Sequence, residues 1–262
     1  MSTAGAGRLT TFFFVRHGES EANAAHRFSG RQDSPLTARG RQQAEIVASI
    51  LDDVPFDRIV ATPLSRSLDT ALVIGRRRRM PVEVVSDLIE IDVGDRTGTT
   101  FDEVRGLPEW KDDGFVEWPN GENLEQILER SLRALKVIHR ETAGGTVLVV
   151  GHGGVTRILA SHFLGILPKL DRSPATNTNV TVIVTDGESG RVERLFESAH
   201  VADACGGGLF FDVDLGQERG RGHRSSLSKD QAGLRRSFAR VVTDRRPSDE
   251  IGVQYEISVT TS

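Results

Sequence analysis

Short apolar runs alternate along the chain with longer segments in which apolar side chains recur at helical spacing. The first run, Phe12 to Val15, is too short for a helix and is followed at once by charged residues, which predicts a buried strand. Thr37 is suited to begin the first long helix as its N-cap. The same patterns predict further strands at 56–61, 82–85 and 147–150, and further helices at 64–74, 122–139 and 155–164.

Two more apolar runs, at 179–185 and 192–196, flank the turn-forming pair Asp186-Gly187 and predict a closing hairpin. Strands that alternate with helices are typical of a mainly parallel sheet with both faces covered. We therefore predict an α/β three-layer sandwich, with a mostly parallel central sheet and helices on both faces.

The character of the chain changes after Val201. Residues 202–262 contain a Gly206-Gly207-Gly208 run, charges of both signs and short apolar patches without helical spacing. Such composition is typical of a segment that cannot bury a core. The predicted organisation is a catalytic domain at 10–201 and a poorly ordered C-terminal extension at 202–262.

Composition narrows the class of protein further. The net charge of −4 argues against a nucleic-acid-binding protein, since such proteins are normally basic. The single cysteine, Cys205, excludes an internal disulfide framework and fits a cytoplasmic protein. No apolar run approaches the length of a signal-peptide core or of a membrane span, so we expect no membrane association. The oligomeric state stays open, with a homodimer among the alternatives.

Ionisable side chains suited to binding and transferring an anionic group follow four of the predicted strands. Arg16 and His17 follow the first strand, and Arg66 lies in the helix after the second. Glu90 comes shortly after the third strand, and His152 directly after the fourth. Because ligands bind outside the carboxyl ends of parallel strands, these five side chains are expected to face one cleft.

Two arginines, two histidines and one carboxyl group fit phosphoryl transfer through a histidine. A guanidinium binds phosphoryl oxygens in bidentate fashion, so two of them can hold the group without a metal. A histidine attacks phosphorus only as neutral imidazole, and adjacent guanidinium charges favour that form. A backbone carbonyl near its other ring nitrogen would aim the attacking one. The carboxylic acid protonates the departing alkoxide and then deprotonates the attacking water.

At these positions the chain resembles the histidine phosphatase superfamily, the phosphoglycerate mutase-like proteins. The resemblance extends from about residue 11 to 201, and its segments follow the order found in the family. The matching segments are VRHGES at 15–20, ATPLSRSLDTA at 61–71, LIEIDVG at 88–94, WPNGENLEQ at 118–126 and VVGHGGVTRIL at 149–159.

The resemblance implies a role for each residue of the predicted catalytic set. His17 is expected to be the phosphorylated nucleophile and Glu90 the proton donor. Arg16, Arg66 and His152 are expected to complete the phosphate pocket. The resemblance also implies a phosphoglycerate mutase-like fold.

The resemblance extends to substrate binding, with one departure. The expected substrate-binding residues are Arg16, Asn23, Ser29, Gly30, Arg66 and Gly153. The family often has tryptophan and glutamate before a glycine that follows the acid segment, where this chain has Arg96 and Thr97 before Gly98. The departure concerns the loop around the substrate rather than the phosphate pocket.

The sequence thus predicts an enzyme: a metal-independent and cofactor-independent phosphomonoester hydrolase that acts on a small phosphorylated metabolite through a phosphohistidine. One alternative is a 2,3-bisphosphoglycerate-dependent phosphoglycerate mutase, but the short, acidic stretch between Glu90 and His152 favours hydrolysis. A catalytically inactive regulatory member of the same fold is a second alternative. An α/β-hydrolase esterase is disfavoured because no Gly-x-Ser-x-Gly segment occurs.

Overall fold

A computed structural model describes residues 8–111, 113–142 and 144–198. All of these residues belong to one unit. The predicted extension at 202–262 lies outside the described residues.

The centre of the fold is a six-stranded sheet. Its strands are β1 (Thr10–Arg16), β2 (Arg58–Ala61), β3 (Val82–Val84), β4 (Thr146–Gly151), β5 (Val180–Thr185) and β6 (Gly190–Glu197). They lie in the order β3-β2-β4-β1-β5-β6. The pairs β1–β4, β4–β2 and β2–β3 are parallel, whereas β1–β5 and β5–β6 are antiparallel. The predicted strands and the closing hairpin are therefore confirmed.

The long helices lie where the helical spacing predicts them. The Thr37 side chain accepts a hydrogen bond from the Gly40 N–H, which confirms it as an N-cap. Two short helices, α1 (Glu21–Ala24) and α4 (Phe101–Arg105), were not predicted, and both begin at a capping box. The helices are α1 (Glu21–Ala24), α2 (Ala38–Ile50), α3 (Ser65–Arg78), α4 (Phe101–Arg105), α5 (Leu124–Thr142) and α6 (Gly153–Phe163). None of the described helices is long and apolar enough to cross a membrane.

Helices pack against both faces of the sheet. Alternate residues of each strand point to opposite faces, so the strands contribute side chains to a core on each side. On one face, Phe12 and Val149 pack with residues of α5 and α6 such as Leu135 and Leu159. On the other, Val15, Ile59 and Val150 pack with residues of α2 and α3. The predicted three-layer sandwich is confirmed.

The parallel strands end at one edge of the sheet and bring their exit loops together there. Arg16 pairs in register with Gly151, so the residues that follow β1 and β4 start side by side. A pair of glycines lets α2 approach this edge. A Cβ on Gly18 would lie 2.2 Å from the Gly40 carbonyl oxygen, and one on Gly40 would lie 2.0 Å from that of Glu19. No larger residue fits at either position.

Candidate active site

His17 lies directly after β1 and is 3% exposed. Its Nδ1 lies 2.7 Å from its neighbour's backbone carbonyl oxygen, that of Gly18. Because a carbonyl can only accept, Nδ1 has the proton, and Nε2 retains a lone pair. The ring is thus oriented by a backbone carbonyl, as the sequence argument required.

Burial and charge keep this imidazole neutral. Burial lowers the pKa of His17 well below its ordinary value, and the guanidinium groups of Arg16 and Arg66 lower it further. The hydrogen bond to Gly18 raises the pKa, but by less. At neutral pH the Nε2 lone pair is therefore available to attack an electrophile.

The two arginines of the predicted pocket are held by backbone carbonyls. Arg66 is 1% exposed and donates to the Gly30 and Gln32 carbonyls at 2.8 and 3.0 Å. Arg16 donates through Nη1 to the Ala175 carbonyl, and its Nε is buried with no protein partner. Burial lowers the pKa of Arg16 to about 10, so it remains a cation at neutral pH. Each guanidinium keeps donors for an anion.

His152 occupies the N-cap position of α6, and its ring centroid lies 5.3 Å from that of His17. Its Nε2 lies 2.8 Å from the Thr62 hydroxyl, while its Nδ1 is buried without a protein partner. Burial lowers the pKa of His152 well below its ordinary value, with smaller contributions from His17, Arg66, Arg16 and Arg130. If the hydroxyl donates to Nε2, the Nδ1–H remains for a ligand.

Glu90 reaches this set from the loop after β3. One of its carboxylate oxygens accepts from the Ile91 N–H at 3.0 Å, and the other lies 3.4 Å from the Gly154 N. A Cβ on Gly154 would lie 2.7 Å from Glu90 Oε1, so a larger residue there would displace the carboxyl group. Burial lowers the pKa of both Arg16 and Arg66, and the charge of Glu90 opposes that shift, which places Glu90 close to the two guanidinium groups.

The remaining predicted substrate-binding residues lie in α1, in the loop after it and at the start of α6. Asn23 Oδ1 accepts from the Ser20 N–H at 3.3 Å and from Asn177 Nδ2 at 3.0 Å, so its own amide group keeps its donors. The Ser29 carbonyl accepts the Gln32 N–H at 2.8 Å, which closes a turn in the same loop.

Two glycines of that set are placed by their backbone. Gly30 has φ +49°, and its carbonyl accepts from Arg66. Gly153 is the first residue of α6, where a Cβ would lie 3.5 Å from Arg16 Cδ. The N–H of a first helical residue has no partner within the helix and is suited to an anion.

Sequence reasoning missed several residues that support the pocket. Asn177 donates through Nδ2 to both the His17 carbonyl and Asn23, each at 3.0 Å. Arg157 donates to the Ser173 and Asp171 carbonyls of the loop that also provides the acceptor for Arg16. These contacts join segments that are far apart in the sequence, so no local sequence pattern predicts them.

Arg130 was also missed, although one signal could have found it. It is a charged residue within the apolar stripe of α5, among the buried residues Ile127, Ala134 and Leu135. A charge at a core position requires buried partners.

Among the described residues, no group of three or more His, Cys, Asp or Glu side chains could hold a metal ion.

The fold and the sequence resemble those of known proteins. The profile of the histidine phosphatase superfamily (branch 1) matches residues 12–198. The chain belongs to this superfamily. The predicted fold, family and class of enzyme, a phosphatase, are thereby confirmed.

Individual relatives match over nearly their whole length. An uncharacterized phosphatase PhoE of Bacillus subtilis (strain 168) is 28% identical over 195 residues, which is 74% of this chain and 98% of the relative. Phosphoserine phosphatase 1 of Hydrogenobacter thermophilus is 30% identical, covering 74% and 96%. The solved structure of Bacillus stearothermophilus YhfR is 32% identical with a TM-score of 0.66, covering 73% of this chain and 99% of that one.

Proposed function

We propose that this phosphatase hydrolyses a small phosphorylated metabolite through a phosphohistidine at His17, without a metal ion or other cofactor. One observation supports it above the rest. The buried imidazole of His17 donates its Nδ1 proton to a backbone carbonyl, and the guanidinium groups of Arg16 and Arg66, which keep donors for an anion, lie near enough to lower its pKa. That set binds a phosphoryl group and attacks it.

In the first step, the lone pair of His17 Nε2 forms a bond to phosphorus, and the ester P–O bond breaks. Arg16 and Arg66 stabilise the charge on the peripheral oxygens. The Asn23 amide, the Gly153 N–H and the His152 Nδ1–H provide further donors. Glu90, as the carboxylic acid, gives its proton to the departing alkoxide oxygen.

In the second step, the Glu90 carboxylate removes a proton from a water molecule. The water oxygen forms a bond to phosphorus while the N–P bond breaks. Inorganic phosphate leaves, and the neutral imidazole of His17 and the protonated Glu90 are restored. Glu90 reaches the site from the β3 loop rather than the β1 loop, which allows it to approach the leaving-group side.

The substrate class is a small phosphomonoester. Relatives bear the names glucosyl-3-phosphoglycerate phosphatase, at 32% identity, and adenosylcobalamin/alpha-ribazole phosphatase, at 29% identity. Both names are those of phosphatases of organic phosphate compounds. Arg96 lies where the chain departs from the family pattern, and it forms an ion pair with Glu109. The loop expected around the leaving group is therefore held by a contact that the family pattern does not predict. A cytoplasmic location is proposed from the single cysteine.

The test is a phosphate-release assay over a panel of metabolite monoesters, with His17→Ala as the blank. We expect wild type to release phosphate and the variant to lose at least about 1,000-fold, since the nucleophile is absent. Phosphate release by His17→Ala at the wild-type rate would refute the mechanism.

Two further arms separate the alternatives. Activity should persist in EDTA, and its loss there would refute the metal-independent reaction. With 3-phosphoglycerate and a bisphosphoglycerate primer, isomer exchange without phosphate release would favour a mutase over a hydrolase.

A further inference from the structure

Arg130 is a buried arginine beside the loop that contains Glu90. It lies on α5 and is 8% exposed. Its Nη1 donates to the Asp87 and Ile89 carbonyls, both at 2.7 Å, and its Nη2 lies 3.3 Å from the Glu90 carbonyl. One guanidinium thus contacts three backbone carbonyls of the four-residue stretch that ends at Glu90.

Glu122 completes the arrangement. Its two carboxylate oxygens accept from Arg130 Nε and Nη2 at 2.8 and 2.9 Å, in bidentate fashion. The same carboxylate accepts the Asp92 N–H at 3.0 Å and pairs with Arg31 at 2.7 Å. Burial alone would raise the pKa of Glu122, but the bonds from Arg130 and Asp92 outweigh it and lower the pKa. Glu122 therefore stays ionised at neutral pH.

All five N–H donors of Arg130 are used by these bonds, three to carbonyls and two to Glu122. None remains for a substrate phosphate. This distinguishes Arg130 from Arg16, whose Nε has no protein partner. Arg130 therefore does not bind the substrate itself, and all of its hydrogen bonds go to the Glu90 loop and to Glu122.

We propose that Arg130 and Glu122 are positioning residues that fix the backbone of residues 87–92, so that the Glu90 carboxyl group stays within reach of the leaving-group oxygen. The proposal rests on the proposed role of Glu90 as proton donor. The backbone on both sides of Glu90 is held by this pair, at Asp87 and Ile89 before it and at Asp92 after it. A bidentate ion pair with little solvent access gives the rigid geometry that proton transfer requires.

The pair could instead only stabilise the fold, and the leaving group separates the two roles. A poor leaving group needs protonation as its bond breaks, whereas a stabilised phenolate departs with little help. Displacing the acid should therefore impair hydrolysis of phenyl phosphate far more than that of p-nitrophenyl phosphate. A loss of folded protein would lower both rates by the same factor.

The experiment compares kcat/KM for these two substrates in Arg130→Met, Arg130→Lys and Glu122→Gln. For Arg130→Met we expect kcat/KM to fall by about 10- to 100-fold on phenyl phosphate and by much less on p-nitrophenyl phosphate. Arg130→Lys should recover part of the loss, since an ammonium keeps the charge but only three donors. Arg133→Met is the matched control, because Arg133 lies on the same helix and contacts the Asp87 side chain rather than the loop carbonyls.

Glu90→Gln, measured in parallel, separates failure of this proposal from failure of the proposed function. If Glu90→Gln lowers both substrates equally, Glu90 is not the proton donor and the proposed function is wrong in that part. If Glu90→Gln is selective for phenyl phosphate but Arg130→Met lowers both substrates equally or neither, the positioning role is refuted. Should Arg130→Met not fold, equal losses on both substrates in Arg130→Lys and Glu122→Gln refute it instead.

Discussion

His17 and His152 are buried side by side near two guanidinium groups, and burial is the main reason that both have a lowered pKa. The same property that keeps a nucleophile unprotonated affects stability. In the unfolded chain both histidines take up a proton below about pH 6.5, while in the native state they do not. Stability is therefore linked to the protonation of the active site.

The free energy of unfolding should fall as the pH is lowered from 7.5 to 5.5. Because the native pKa lies below the unfolded one, the unfolded state binds more protons in this window, and each of the two histidines removes about 1.4 kcal/mol. Urea unfolding at pH 7.5, 6.5 and 5.5 measures this. The double variant His17→Asn/His152→Asn should show a flatter dependence, and equal slopes in both proteins would contradict the assignment.

At the scale of elements, the arginine run at the end of α3 forms hydrogen bonds with the turn that follows α2. Arg77 forms a bidentate pair with Asp52. Arg78 donates to the carbonyls of Leu51, Asp52 and Val54 in the turn that leads into β2. These bonds hold the turn that follows α2 against the end of α3. Cations at the carboxyl end of α3 also suit its dipole.

Arg79 is the C-cap of α3 and has a left-handed backbone, with φ 55° and ψ 41°. Glycine adopts this conformation without the Cβ strain of other residues. We expect Arg79→Gly to be more stable than Arg79→Ala by about 1 kcal/mol, measured as the free energy of unfolding in urea. Both variants remove the same charge, so the comparison isolates the backbone. Equal stability would show that the strain is absent.

At the scale of the whole molecule, the sheet order brings the site together. β4 lies between β2 and β1, so the exits of β2, β4 and β1 are adjacent along one edge. Arg66, His152 and His17 follow these three strands, and Glu90 comes from the loop after β3, the next strand along. Every side chain of the proposed mechanism lies between residues 16 and 153, inside the described part of the chain.

A variant that ends at Val201 should therefore fold and hydrolyse phosphomonoesters. The described sheet and both core clusters lie before residue 199, and the family profile ends at 198. The thermal midpoint and kcat/KM of this variant should match those of the full chain. A large loss of either would place part of the core or the site in residues 202–262.

The prediction that this extension is poorly ordered is checked by limited proteolysis of the full chain, which should cleave there first.

Much of the fold could be predicted because burial leaves a local record. The continuous apolar run from Phe12 to Val15 indicates a buried strand, and the stripe of α5 shows its burial through a period of 3.6 residues. The short helices α1 and α4 escaped, since neither is long enough to show a stripe. The order of the strands also escaped, because the sequence specifies strands and connections but leaves several arrangements of neighbours open.

The sequence by itself determined the strands and the long helices of this protein, its family and the residues that the proposed phosphoryl-transfer site requires. Only the tertiary structure decided what holds those residues: Gly18 for the His17 ring, Thr62 for His152, and Arg130 with Glu122 for the Glu90 loop. The physical reason is that a buried polar group must find a partner, but the partner's identity depends on how distant loops run past one another. Periodicity records which residues are buried and not what they contact.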